Sequence, residues 1–193
     1  MKLRSFTMAN KIKFELPLIN SDGEELKNAA NLRDSLYDSL LQNLRLVHPA
    51  STIIVPSSWK AIHARAYKDN VAAKILVIPY GIEYINNSAF EGCTSLTSVT
   101  IPDSVVSVYE WVFADCTALK NVEIGNSVKT IGKYAFYSCT SLTSITIPNS
   151  VTIIGSAAFG GCEKLTDIYV PWAEGAVADA PWGAPKATIH YNS

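Results

Sequence analysis

An α/β repeat solenoid, with short parallel strands stacked coil on coil and a cap at each end, is the fold class this sequence predicts. Three ladders sharing one 23-residue period carry that expectation: Phe90, Phe113, Phe136 and Phe159; Cys93, Cys116, Cys139 and Cys162; and Leu96, Leu119, Leu142 and Leu165. Pro79, Pro102, Pro148 and Pro171 keep the same spacing, with Gly125 in the vacant place. A single unit of this length cannot enclose a core, but stacked neighbours enclose a continuous one.

Residues 1–51 read as an N-terminal strand–helix cap or attachment segment. Lys11 to Leu16 alternates strictly and suits an amphipathic strand, and Asn20 to Gly23 suits a turn. Residues 24–46 suit a helix, capped by Asp22 or Ser21, with Leu32, Leu36, Leu40 and Leu44 on one stripe and Pro49 beyond its end. This stripe packs on the first coil in one reading and docks on another subunit or a larger assembly in the other. Met1 to Met8 carries two basic residues but no apolar stretch of secretory length, and Met8 itself reads as a possible start.

Residues 52–171 form the solenoid. Each unit opens on an alternating segment such as Val99-Thr100-Ile101, a strand with its first and third residues inward. Val105, Val108, Phe113, Cys116 and Leu119 follow at spacings too irregular for a long helix, and predict a tight coil with a turn or short helical piece around Tyr134-Ala135-Phe136. Extended backwards, the register finds a degenerate first repeat. Ile53-Ile54-Val55-Pro56 precedes Leu76-Val77-Ile78-Pro79 by one period, and Tyr67 takes the Phe place. Six strand positions result, the last beginning at Ile168 a repeat that is not completed. Six strands at ~4.8 Å span roughly 25 Å.

Residues 172–193 read as an irregular C-terminal cap. Pro171-Trp172 is echoed by Pro181-Trp182, and two indoles in a segment rich in Pro, Ala and Gly can close the last coil. Ala187 to Tyr191 supplies a final extended piece. The competing use for Trp172 and Trp182 is stacking on a sugar.

Composition narrows the class of work. Apolar residues make up 48% and charged residues 17%, with a net charge of −1, which argues against a protein that holds nucleic acid by bulk charge. The apolar runs are too short for a membrane span. Residues 1–74 hold eleven Lys and Arg against seven Asp and Glu, net +4, whereas residues 75–193 hold five against ten, net −5.

Four cysteines invite a zinc or redox reading, but a ladder places one sulfur per coil along an axis, and ligands for zinc must converge on one point. The thiols are therefore expected free and buried, as small hydrophobes. His48, His63 and His190 have neither metal-ligand spacing nor a nucleophile motif around them. Gly132 and Gly155 recur with the repeat and are assigned to turns. No catalytic, cofactor-binding or metal-binding residue is expected, and no enzyme activity.

The pattern Leu-x-x-Ile-x-Ile-Pro-x-x-Val-x-x-Ile-Gly-x-x-Ala-Phe-x-x-Cys-x-x-Leu, complete in the unit from Ser144 to Thr166, resembles the BspA-like leucine-rich repeat family over about residues 52–171. Trp59 in place of the usual Val, and a first unit without Phe, Cys and Leu, depart from it. The resemblance implies a right-handed leucine-rich-repeat solenoid serving as a protein-binding or adhesive module, with no cofactor and no reaction. It further implies a bacterium of gut type or its phage, and display at the cell surface or secretion. The chain shows no export signal, so an intracellular or virion-associated place stays open. Two alternatives stand beside it: a structural or host-recognition component of a phage particle, attached through residues 1–50, and a carbohydrate-binding module using its Trp residues.

Two surfaces are candidates for a protein or cell-surface ligand. Tyr109, Trp111, Tyr134 and Tyr137 fall on adjacent coils off the core ladders, and grouped aromatic residues of this kind are frequent hot spots. The outward strand row carries Thr100, Glu123, Thr146 and Tyr169.

Overall fold

The computed structural model describes residues 51–174 and 180–192. The chain divides into two compact units, residues 1–47 and 48–193, and the described residues belong to the second. The strand expected at 11–16, the helix expected at 24–46 and the attachment role expected of residues 1–50 lie outside the described residues.

Twelve short strands lie among the described residues, two in each of the first five repeats. In chain order they are β1 (Thr52–Ile54), β2 (Ala61–Ile62), β3 (Ile75–Val77), β4 (Tyr84–Ile85), β5 (Ser98–Ile101), β6 (Ser107–Val108), β7 (Asn121–Ile124), β8 (Thr130–Ile131), β9 (Ser144–Thr146), β10 (Ile153–Ile154), β11 (Asp167–Val170) and β12 (Thr188–Tyr191). The odd-numbered strands and β12 stack along one face. Ile53 lies opposite Leu76, Val99 opposite Val122, and Ile168 opposite both Ile145 and Ile189, always in parallel. β3 lies beside β5 and β7 beside β9 without a continuous ladder. The even-numbered strands β2 to β10 form a second parallel sheet of five two-residue strands, which the sequence pattern did not disclose.

The α/β expectation is corrected. Among the described residues there is no helix, and the solenoid is all β. The piece around Tyr134-Ala135-Phe136 is a run of turns, because its backbone cannot propagate an α-helix. Tyr134 and Ser138 sit in the left-handed region at φ 57° and 56°. The amides of Ala135, Tyr137 and Cys139 bond three residues back, to Gly132, Tyr134 and Phe136, while Phe136 N–H points away to the Ala158 carbonyl of the next coil at 2.8 Å.

The irregular C-terminal cap is corrected as well. Trp182 lies 23 residues after Phe159 and takes the next place in that ladder, 2% exposed, and its carbonyl accepts the Phe159 N–H at 3.0 Å. β12 then pairs with β11 in a register shortened to 21 residues, Asp167 opposite Thr188. The repeat that opens at Ile168 is thus completed in shortened form.

The core is a set of columns. Tyr67, Phe90, Phe113, Phe136 and Phe159 stack ring on ring with centroids 5.3–5.8 Å apart and planes within 12° of parallel, and Trp182 closes the column edge-on at 6.3 Å. The four Phe side chains are fully buried. Each free thiol donates to the carbonyl 26 residues earlier: Cys93 to Tyr67 at 3.3 Å, Cys116 to Phe90 at 3.3 Å, Cys139 to Phe113 at 3.2 Å and Cys162 to Phe136 at 3.1 Å. A thiol here fills a small apolar space and gives a buried carbonyl a second donor. Gly132 serves close approach rather than a turn torsion, since a Cβ there would lie 2.5 Å from the Tyr109 carbonyl carbon.

Two outcomes follow from these columns. Phe136→Ala is expected to cost ~3–5 kcal/mol in denaturant unfolding, through lost burial and a cavity between two neighbouring rings. Thr146→Ala, on an exposed strand position, is expected within about 0.5 kcal/mol. Equal losses would show the inward and outward faces to be misassigned.

The thiols make the second outcome a matter of pH. Burial pushes the Cys93 thiol up to about 11 and the Cys116 thiol higher still. Cys139 is held well above the ordinary range by the neighbouring Cys162 sulfur and by burial. An unfolded thiol ionises near 8.5, so the raised groups favour the folded state fully below that pH. That contribution is lost as pH rises through the folded values. Stability is expected to fall from pH about 8.5 toward 11, and less steeply in Cys116→Ala than in the parent. Identical slopes would show that Cys116 ionises alike in both states.

Candidate functional site

Each coil turns two left-handed corners. The first is occupied in succession by Arg65, Ser88, Trp111, Tyr134 and Ala157, and the second by Asp69, Gly92, Asp115, Ser138 and Gly161. Left-handed φ is tolerated by Gly, Asn and Asp, and is unfavourable for a bulky side chain. Two adjacent coils nevertheless place an indole and a phenol there, at φ 60° for Trp111 and 57° for Tyr134. Because the period is 23, the two rings meet, stacked with centroids 4.2 Å apart and planes at 19°. Tyr137 stands edge-on to both, at 5.7 Å from Trp111 and 5.6 Å from Tyr134. Its ring leans over Gly160 of the next coil, where a Cβ would lie 3.0 Å from two ring carbons. The three side chains are half-buried.

The fourth member of the expected group, Tyr109, lies elsewhere. It is 39% exposed and pairs with Tyr84 at 6.5 Å beside the second sheet. Tyr84 went unnoticed in the sequence, although its place next to the buried Ile85 marks it as outward.

On the odd-strand sheet, Thr100 lies opposite Glu123 and Thr146 opposite Tyr169, all exposed. The row continues to His190, which stacks on Tyr169 at 4.5 Å and 15°. His190 Nε2 is 2.7 Å from Asp167 Oδ1, and the Thr166 hydroxyl donates to Asp167 Oδ2 at 2.7 Å. The Thr166 hydroxyl and then His190 hold the Asp167 carboxyl below its usual range. A cavity of about 290 Å³ opens beside this stack, lined by Thr146, Tyr169, Val170, His190 and Tyr191 among others.

One further charged contact lies two coils before Tyr134. Lys68 Nζ reaches Glu91 Oε1 at 2.9 Å. Burial opposes the Glu91 charge, but hydrogen bonds from Lys68 and Ser88 outweigh it and keep the carboxyl below its usual range.

The sugar-stacking reading of the tryptophans is corrected by their placement. Trp182 is closed into the core column, and Trp172 packs partly buried against it. They form no exposed indole pair. Among the described residues no group of His, Cys, Asp and Glu is placed to hold a metal ion, and no helix is long and apolar enough to cross a membrane.

Coils of one length, stacked through two parallel sheets around buried columns of Phe, Cys and Leu, define a repeat solenoid of the leucine-rich type. The model of the BspA type leucine rich repeat region matches residues 51–175 in six copies, and the chain belongs to that family. Among solved structures, a leucine rich repeat protein of T. pallidum is similar at 28% identity with a TM-score of 0.60, covering 62% of this chain and 59% of that one. A leucine-rich repeat protein of Bacteroides ovatus shares the fold at 23% identity and a TM-score of 0.55, covering 74% of this chain and 42% of that one. The chain therefore spans less than two thirds of either relative. No curated protein matches it significantly.

Proposed function

We propose that the module binds a partner protein through the face formed by Trp111, Tyr134 and Tyr137, with Tyr109 and the sheet row of Thr100, Glu123, Thr146 and Tyr169 outside the main contact. The observation that supports this reading is the placement of two large aromatic side chains at adjacent left-handed corners. Strained backbone of this kind costs of order 1–3 kcal/mol per residue and gathers at functional sites. Nothing in the coil requires it, since Ser88 and Ala157 serve the same corner in neighbouring repeats. Half-buried Trp and Tyr side chains are also the types that dominate binding energy when a partner finishes burying them.

The setting that fits this role is a bacterial cell surface or the secreted fraction, as the family resemblance implies.

The test is site-specific photocrosslinking in cells that produce the full chain. A photoreactive residue at position 137 is expected to capture a discrete protein, and Trp111→Ala is expected to weaken that complex by about 2 kcal/mol, roughly thirtyfold in Kd. Capture that instead occurs from position 146 and is indifferent to Trp111→Ala would move the site to the sheet row.

A further inference from the structure

Resting on the reading that this face binds a protein, we infer that the segment it takes is cationic, with an arginine side chain laid over the Trp111, Tyr134 and Tyr137 rings. Two carboxylates lie close to the cluster along the chain. Glu110 directly precedes Trp111, and Asp115 occupies the second left-handed corner of the same turn. Both are exposed, and among the described residues neither carboxylate is held in an ion pair, in contrast to Glu91, which Lys68 occupies. Lys133, just before Tyr134, sets one positive charge against these two negative ones. The unit that carries the cluster has the same sign, because residues 48–193 hold nine Lys and Arg against eleven Asp and Glu, net −2. A cleft or face of one sign concentrates partners of the other.

Ring geometry selects among cations. The three rings touch one another at 4.2–5.7 Å, so they leave no gap to enclose an ammonium as an aromatic cage does. What they present is an aromatic surface. A planar guanidinium stacks on such a surface and keeps its edge donors for a carboxylate beside it, which a lysine ammonium cannot do. Glu110 and Asp115 are the exposed carboxylates nearest to Trp111 along the chain, and we assign them that role. An acidic segment meets the opposite condition, since Glu110 and Asp115 repel it.

The test uses the full chain and labelled peptides of one Gly/Ser framework carrying arginines, lysines, leucines or glutamates, read by fluorescence anisotropy at low and high salt. The arginine peptide is expected to bind most tightly and the glutamate peptide least. Its affinity is expected to fall about tenfold or more in Trp111→Ala and in the Glu110→Gln/Asp115→Asn double variant, whose exposed changes leave the core untouched. Glu163→Gln, an exposed acid on a later coil, is expected to have no effect. Binding of the leucine peptide through Trp111, without the arginine peptide, would overturn the cationic partner and leave the protein-binding face standing. Arginine-peptide binding that ignores Trp111→Ala, or weakens equally in Glu163→Gln, would be general charge attraction and overturn the inference. If no probe binds through the cluster, the inference falls together with the reading it rests on.

Discussion

Everything in this solenoid depends on the backbone hydrogen bonds that pass from each turn to the next coil. In one coil the amides of Ser88, Phe90 and Gly92 donate to the carbonyls of Glu110, Val112 and Ala114. One coil on, Trp111, Phe113 and Asp115 donate to Lys133, Ala135 and Tyr137. Phe90, Val112, Phe113, Ala114 and Ala135 among them are buried, and leaving such a backbone group unpaired costs about 1–3 kcal/mol each. Inserting one residue would misalign all three bonds at once, so the 23-residue spacing is a backbone requirement that the side chains inherit. The Phe rings stack because their amides are already in register. The same rule explains the C-terminal coil, where Trp182 keeps its place through the Phe159 amide while β12 is reached two residues early.

The ladders made the core legible in advance. Phe, Cys and Leu at one spacing had to share one environment, and each member of those columns is buried. The second sheet was hidden because strands of two residues, such as Tyr84–Ile85, leave no alternation to detect. The turn at Tyr134-Ala135-Phe136 looked compatible with a helical piece because nothing in the residue types announces a positive φ; Asn or Gly at these corners would have been the usual signal, and Trp111 and Tyr134 are the reverse of it. Trp182 stood at the expected spacing from Phe159, yet its likeness to Trp172 in a Pro-rich segment drew attention to the surface instead.

The candidate face was partly readable for the same reason. Trp111, Tyr134 and Tyr137 could be placed together by counting along the period, since positions one coil apart with matching offsets become neighbours. Tyr109 precedes Trp111 by only two residues, but a sharp corner lies between them and sends it to Tyr84. The Tyr169–His190 stack was beyond counting, because it depends on the shortened register of the last coil.

The fold and the proposed function meet at the left-handed corners, where backbone geometry favours small or Asn-like residues and two aromatic side chains are found. If they are held there for a partner, the solenoid itself gains little from them. Equilibrium unfolding of the Trp111→Asn/Tyr134→Asn double variant tests this most directly, since Asn suits the left-handed region and removes both rings. Relief of strain, of order 1–3 kcal/mol per residue, is set against the loss of ring stacking, about 0.5–1.5 kcal/mol, and of half-buried area. The expected result is a stability within about 1 kcal/mol of the parent, whereas a loss of roughly 3 kcal/mol or more, the size of a core truncation, would mean that the rings serve the fold and not a partner.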